Sequence, residues 1–179
     1  MSVISKKICL LGDFGVGKTS LISRFVENKF SDRYLSTVGV KISRKLVNIQ
    51  SEFNKLEINL LIWDVEGSTK FNSIAPSYLK GASGSIIVAD LTRIETLENL
   101  ASHIDLFLKI NPQGSIAIAL NKADLITSES LNNLICLYNF TSQQQVIANL
   151  PTSAKTGVNV NNLFDRLTIE MLHLDSFQF

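Results

Sequence analysis

The stretch Gly12-Asp13-Phe14-Gly15-Val16-Gly17-Lys18-Thr19 decides the fold of this 179-residue chain. It is a complete G-x-x-x-x-G-K-[ST] run. The apolar run Lys7–Leu11 precedes it, and Leu21, Ile22, Phe25 and Val26 follow at helical spacing up to about Asn28. Between a strand and a helix, such glycines let the backbone fold into a nest whose N–H groups face the α- and β-phosphates of a nucleotide. Lys18 adds a point charge at the β- and γ-phosphates, and Thr19 offers a hydroxyl to Mg²⁺. The helix that Thr19 opens turns its positive end toward the anion. Gly12, Gly15, Val16, Gly17, Lys18, Thr19 and Ser20 are therefore the candidates for the phosphate side of a nucleotide site.

Outward from this run, short apolar segments alternate with helix-period segments to the end of the chain. Residues 29–39 read as a polar loop, Val40–Ile49 and Leu56–Trp63 as strands, and residues 64–80 as irregular. The strand Ser85–Asp90 precedes a helix from about Ile94 to Ile110, which ends at Asn111-Pro112 because proline disfavours helix in the residue before it. Ile116–Leu120 reads as a strand, Ser130–Tyr138 as a helix, and Val146–Leu150 as a last strand. The closing helix, Asn161–Leu174, carries Leu163, Phe164, Leu167 and Met171 on one stripe. No internal repeat or boundary divides the chain, so residues 1–179 are expected to form a single domain. Its class is α/β, with a mostly parallel six-stranded sheet covered by helices on both faces. Ligands of such sheets bind beyond the carboxyl ends of the strands, and the motifs fall at those ends.

Composition narrows the function. Apolar residues at 45%, charged residues at 18% and only three prolines exclude disorder and collagen-like repeats. No apolar run approaches the ~18–20 residues of a membrane span, and Met1–Lys7 carries no leader pattern. The net charge of +1 argues for no attraction to nucleic acid. Its distribution is uneven, because residues 1–50 hold nine basic and three acidic side chains. Cys9 and Cys136 form no zinc or disulfide framework, which points to a reducing, cytoplasmic setting, and both are expected to be core thiols. Trp63 is expected in the core. His103 and His173 lack partners at ligand spacing and read as surface or satisfied histidines.

Asn121-Lys122-Ala123-Asp124, straight after the strand Ile116–Leu120, selects the base. The Asp124 carboxylate can accept two hydrogen bonds, from N1–H and the 2-amino group of guanine. Adenine offers neither donor and would leave the carboxylate unpaired, a mismatch that rejects analogues by ~10⁴ or more. Asn121 and Lys122 would brace the base and the phosphate loop.

With these motifs in order, the chain resembles the Ras-like small GTPases, and within them the Rab branch, from Lys6 to about Leu172. The resemblance implies a P-loop G domain and a guanine-nucleotide switch with Mg²⁺. It implies that Thr37, in Tyr34-Leu35-Ser36-Thr37-Val38-Gly39, binds Mg²⁺ and the γ-phosphate. Phe30 would pack on the guanine, and Tyr34 would cover the phosphates. Trp63-Asp64-Val65-Glu66-Gly67 matches the W-D-x-x-G of the second switch. There Asp64 would hold a Mg²⁺ water, and the Gly67 N–H would meet the γ-phosphate. Thr152-Ser153-Ala154-Lys155 matches the last guanine loop, with the Ala154 N–H reaching O6 between Ser153 and Lys155. The implied metal set is Thr19, Thr37 and Asp64.

Three departures bear on turnover. Ser68 stands where the family has a glutamine that orients the attacking water, although the Rap branch tolerates threonine there. Phe14 brings a ring to a position where Ras has glycine and many Rab proteins serine, crowding the water and any entering arginine finger. Glu66 replaces a small residue beside the γ-phosphate; it either adds repulsion or orients a water. Two readings stay open: a slow GTPase, or a GTP-bound binding module with negligible turnover. A P-loop kinase or ATPase is disfavoured by Asp124. Effectors, exchange factors and activators are expected at the two switches and at the strand bearing Lys41, Ser43 and Lys45. With no cysteine after Cys136, either a prenylated tail was trimmed or the protein is a soluble member; the second, as a monomer, is the expectation.

Overall fold

A computed structural model describes residues 4–32, 36–50, 55–67 and 75–176. In chain order the elements are β1 (Ile4–Leu11), α1 (Lys18–Glu27), β2 (Val40–Gln50), β3 (Lys55–Val65), α2 (Ala75–Leu79) and β4 (Gly84–Asp90). They continue with α3 (Ile94–Glu98), α4 (Leu100–Ile110), β5 (Ser115–Asn121), α5 (Ser128–Leu137), β6 (Val146–Pro151) and α6 (Val160–Ser176). The six strands make one sheet in the order β2-β3-β1-β4-β5-β6. Only the β2–β3 pair is antiparallel. The chain runs outward from β1 to β3 on one side and to β4 on the other, so the strand order reverses at β1. A crevice opens at that point, beyond the carboxyl ends, and the glycine-rich run is the segment that fills it.

The alternation of side chains along each strand splits the core into two layers. Ile8, Leu10, Ile86 and Val88 face α1 and α6, while Cys9, Leu11, Ile87 and Ala89 face the layer of α2, α3 and α4. Strand β5 presents small residues, Ala117 and Ala119, to one layer and bulky Ile116, Ile118 and Leu120 to the other. Phe25 of α1 stacks on Phe164 of α6 with ring centroids 3.9 Å apart. This α/β sandwich, with helices on both faces, is the class the alternating pattern predicts.

Several expectations need correction. Residues 64–80 are not irregular throughout: Asp64 and Val65 complete β3, and Ala75–Leu79 is helical. Leu79 is fully buried, so α2 is held by tertiary packing that a five-residue sequence window does not display. The helix expected over 94–110 is divided at Asn99, whose amide donates to Asp13 Oδ2 at 2.8 Å. Cys136 is exposed rather than a core thiol. It lies on α5, a helix with no fully buried residue. Trp63 is only half-buried, with Lys7 Nζ 3.9 Å from its ring centroid. Among the described residues, no helix is long and apolar enough to cross a membrane.

Strand β2 is an edge strand, but its lysines are not equivalent. Lys41 is exposed, whereas Lys45 turns inward, over the Phe25 ring, and donates to the Phe25 carbonyl oxygen. The outward face carries Ile42 and Leu46 beside Arg44. The register explains this. Ile42 and Leu46 pair with Trp63 and Asn59 on the face away from α1, and Lys45 falls on the face toward it.

Candidate functional site

The carboxyl ends of β1, β3 and β5 and the loop after β6 surround a cleft of about 1020 Å³. Phe14, Gly15, Gly17, Lys18, Thr19 and Ser20 line one side. Phe30, Thr37, Gly67, Asn121, Lys122, Asp124, Ala154 and Lys155 line the rest. Five segments separated in sequence therefore meet in one crevice. Gly12, Val16 and Ser153 lie behind its surface: Val16 and Ser153 are fully buried, and the Gly12 carbonyl accepts from Lys18. Tyr34 and Ser68 lie outside the described residues.

The glycine-rich turn has a demanding backbone. Gly17, the residue before α1, takes φ 100°, and an added Cβ there would lie 2.4 Å from Asn121 Nδ2. Only glycine meets both constraints. The Lys18 side chain folds back over the turn and donates to Gly12 O at 2.8 Å and Asp13 O at 2.9 Å. Burial pushes its ammonium down to about 8, against the opposing pull of Asp64 and Asp13. The cause is loss of water around the ammonium, so a polar or anionic ligand in the cleft would favour its charged form. An added Cβ at Gly67 would lie 2.4 Å from Lys18 Nζ, so the Gly67 segment closes directly onto this charge.

Three oxygens gather beside Lys18. Thr19 Oγ1 donates to Asp64 Oδ2 at 2.5 Å, the Thr19 and Thr37 hydroxyls are 2.8 Å apart, and Thr37 Oγ1 donates to the same Asp64 oxygen at 3.2 Å. Asp64 is buried, and among the described residues its Oδ1 has no hydrogen-bond partner. An all-oxygen set with a buried, half-satisfied carboxylate fits a small hard cation such as Mg²⁺.

The base side of the cleft is equally tied together. Asn121 Nδ2 donates to Val16 O at 2.9 Å, and its Oδ1 accepts from the Ala154 N–H at 3.2 Å. Ser153 Oγ donates to Asp124 Oδ1 at 2.6 Å, orienting that carboxylate. Lys122 holds φ 63° and places its ammonium 2.6 Å from Asp90 Oδ2.

Several supporting residues escape sequence reasoning. Asp90, buried at the end of β4, binds Lys122 and Arg93 through Oδ2 and Thr92 through Oδ1. Burial alone would push its carboxyl up, but the Lys122 and Thr92 bonds hold it below the usual carboxylate range. Arg93 then donates to Phe14 O at 2.8 Å, linking the base loop to the phosphate loop. Arg24 of α1 donates to Ala154 O at 2.8 Å and Lys155 O at 2.6 Å. The one available signal was an aspartate ending an otherwise apolar strand. Nothing local marks Arg24 or Arg93.

Comparison with known proteins decides the family. A Ras family model matches residues 7–173. The chain belongs to the Ras family. Within it the similarity is to Rab proteins. It is 36% identical over 165 residues to human Ras-related protein Rab-22A, covering 92% of this chain and 82% of that one. It is 33% identical over 178 residues to rat Ras-related protein Rab-31, covering 98% and 87%. It is 36% identical over 167 residues to tobacco Ras-related protein Rab5, covering 90% and 78%. This Rab-branch member of the Ras family is thus a small GTP-binding switch from a GTP-hydrolysing family.

One feature of this Ras-family domain yields a pH dependence. His103 of α4 is buried with its Nε2 2.9 Å from Asp13 Oδ1, and so it braces the phosphate loop rather than sitting at the surface. Burial pushes the imidazole below its ordinary range despite the Asp13 carboxylate. The unfolded chain therefore takes up this proton at a higher pH than the folded one. Stability contributed by neutral His103 is full above the unfolded value and falls as pH drops toward the folded value. Urea unfolding midpoints between pH 7.5 and 5.5 should fall more steeply in the wild type than in His103→Gln. The difference is at most about 1.4 kcal/mol per pH unit.

Proposed function

We propose that the cleft binds GDP and GTP with Mg²⁺ and hydrolyses GTP slowly, the whole chain working as a single G domain. The convergence of the Gly12–Ser20 turn, Thr37, Gly67, the Asn121–Asp124 loop and the Ser153–Lys155 loop on one crevice carries this reading. Lys18 and the N–H groups at the start of α1 would take the phosphates, as the place of the Lys18 ammonium over the glycine-rich turn supports. Asp124, held by Ser153, would read the guanine edge, with Phe30 on the ring and the Ala154 N–H at O6. Thr19, Thr37 and Asp64 would hold Mg²⁺, which when bound neutralises charge across the β- and γ-phosphates. Thr37 and Gly67 are the two groups a γ-phosphate would contact, giving a switch that loses those contacts on hydrolysis. Proteins of this family work through effectors, exchange factors and activators. The Ile42, Arg44 and Leu46 face of β2, beside Trp63, is where we place the effector contact.

A second reading, a GTP-bound module without useful turnover, is favoured by one observation. Phe14 is 49% exposed and lines the cleft beside Gly15 and Lys18, where its bulk would compete with an attacking water or an arginine finger.

The test is direct. Purified protein should release guanine nucleotide on denaturation, and chelating Mg²⁺ should speed GDP release by about tenfold or more. Recovery of adenine nucleotide, or release insensitive to chelation, would reject the base or the metal assignment respectively.

A further inference from the structure

Glu66 follows β3 directly, and it engages Gly39 twice. The Glu66 N–H donates to Gly39 O at 2.9 Å, and the Gly39 N–H donates to Glu66 Oε2 at 2.8 Å. Together the bonds extend the β2–β3 pairing one step beyond Val40↔Val65, past the end of both strands. Any residue at position 66 can make the backbone bond. The second bond needs a side-chain acceptor of this length, and alanine or glycine would leave the Gly39 N–H without it. Gly39 itself takes φ 72°, the left-handed conformation that aims its N–H back at Glu66.

The position of this clasp gives it a role. Thr37 lies two residues before Gly39, with its hydroxyl on Thr19 and Asp64. Gly67 lies one residue after Glu66, against Lys18. The clasp therefore ties the two segments that a γ-phosphate would order, and it does so without any phosphate oxygen. We infer that Glu66 is a positioning residue that fastens the Thr37 segment to the Gly67 segment in both nucleotide states. The inference rests on the cleft being a guanine-nucleotide switch site. Part of the ordering entropy is then met by the protein rather than by GTP, which raises GTP affinity relative to GDP and narrows the structural difference between the two forms.

The experiment compares wild type, Glu66→Ala and Glu66→Gln, each loaded with GDP or a non-hydrolysable GTP analogue in Mg²⁺. Hydrogen exchange over residues 36–41 and the ratio of the two affinities are measured. In the wild type the segment should be protected with either nucleotide. In Glu66→Ala, protection should be lost in the GDP form, and the GTP-to-GDP affinity ratio should fall about three- to tenfold. Glu66→Gln keeps a carbonyl oxygen for Gly39 and should restore both. A wild-type segment that exchanges freely with GDP, or an Ala variant with unchanged ratio and protection, would overturn the clasp while leaving the nucleotide site intact. Failure of all three proteins to bind guanine nucleotide would overturn the site assignment and the clasp with it.

Discussion

Asp124→Asn should exchange guanine for xanthine as the preferred base, shifting relative affinity by roughly 10³–10⁴. The size of the effect follows from how the carboxylate is held. Ser153 Oγ donates to Asp124 Oδ1 at 2.6 Å, and Ser153 is fully buried, so its hydroxyl cannot turn to water instead. An asparagine must keep its carbonyl oxygen on Ser153 to satisfy that donor. Its amide group then points where the second carboxylate oxygen was. Facing guanine, that NH₂ opposes two donors; facing xanthine, it meets the 2-oxo acceptor. Affinities for GDP and xanthosine diphosphate in both proteins measure the exchange. An unchanged preference would remove Asp124 from the base site.

Phe14→Gly combined with Ser68→Gln should raise single-turnover GTP hydrolysis by about one to two orders of magnitude, and by more than either change alone. The wild type should turn over at or below the ~3–5 × 10⁻⁴ s⁻¹ of unaided Ras-type hydrolysis. The Phe14 carbonyl is held by Arg93 at 2.8 Å, so the residue cannot retreat by a backbone shift without breaking that bond. Its half-exposed side chain lines the cleft. Removing the ring makes room for a water, and glutamine supplies the group to orient it; neither helps fully without the other. Nucleotide binding should persist in the double variant, because Lys18, Thr19, Asp64 and the loop amides are untouched. A wild-type rate above about 10⁻² s⁻¹, the range of enzymes with their own arginine, would reject the account and direct attention to Glu66.

Two contacts that matter for function stay unread in the sequence for one cause. His103 is satisfied, one of the two states expected of it, but its partner, Asp13, lies 90 residues away and no local pattern names it. Lys45 reads as one more edge lysine, because period-2 alternation says which residues share a face but not which face meets α1. The W-D-x-x-G run places Glu66 beside the γ-phosphate, as a source of repulsion or as a group that orients a water, and says nothing of Gly39; the bond from the Gly39 N–H to its carboxylate is visible only once β2 and β3 are paired.

The α/β class, the alternation of strands and helices, and the segments that gather at the cleft were all legible in the amino-acid order. Each of those depends on short-range pattern: two-residue or 3.6-residue periodicity, and motifs in which the backbone donors and the charged side chain lie within eight positions. How the segments are held against one another is a property of the folded chain. The strand order brings Asp90 of β4 beside Lys122 after β5, and the crossover to α1 puts Arg24 under the Ala154–Lys155 carbonyls, 130 and 131 residues away in sequence. Such pairs are selected by the packing of whole elements around a sheet that reverses at β1, and no local window carries that information.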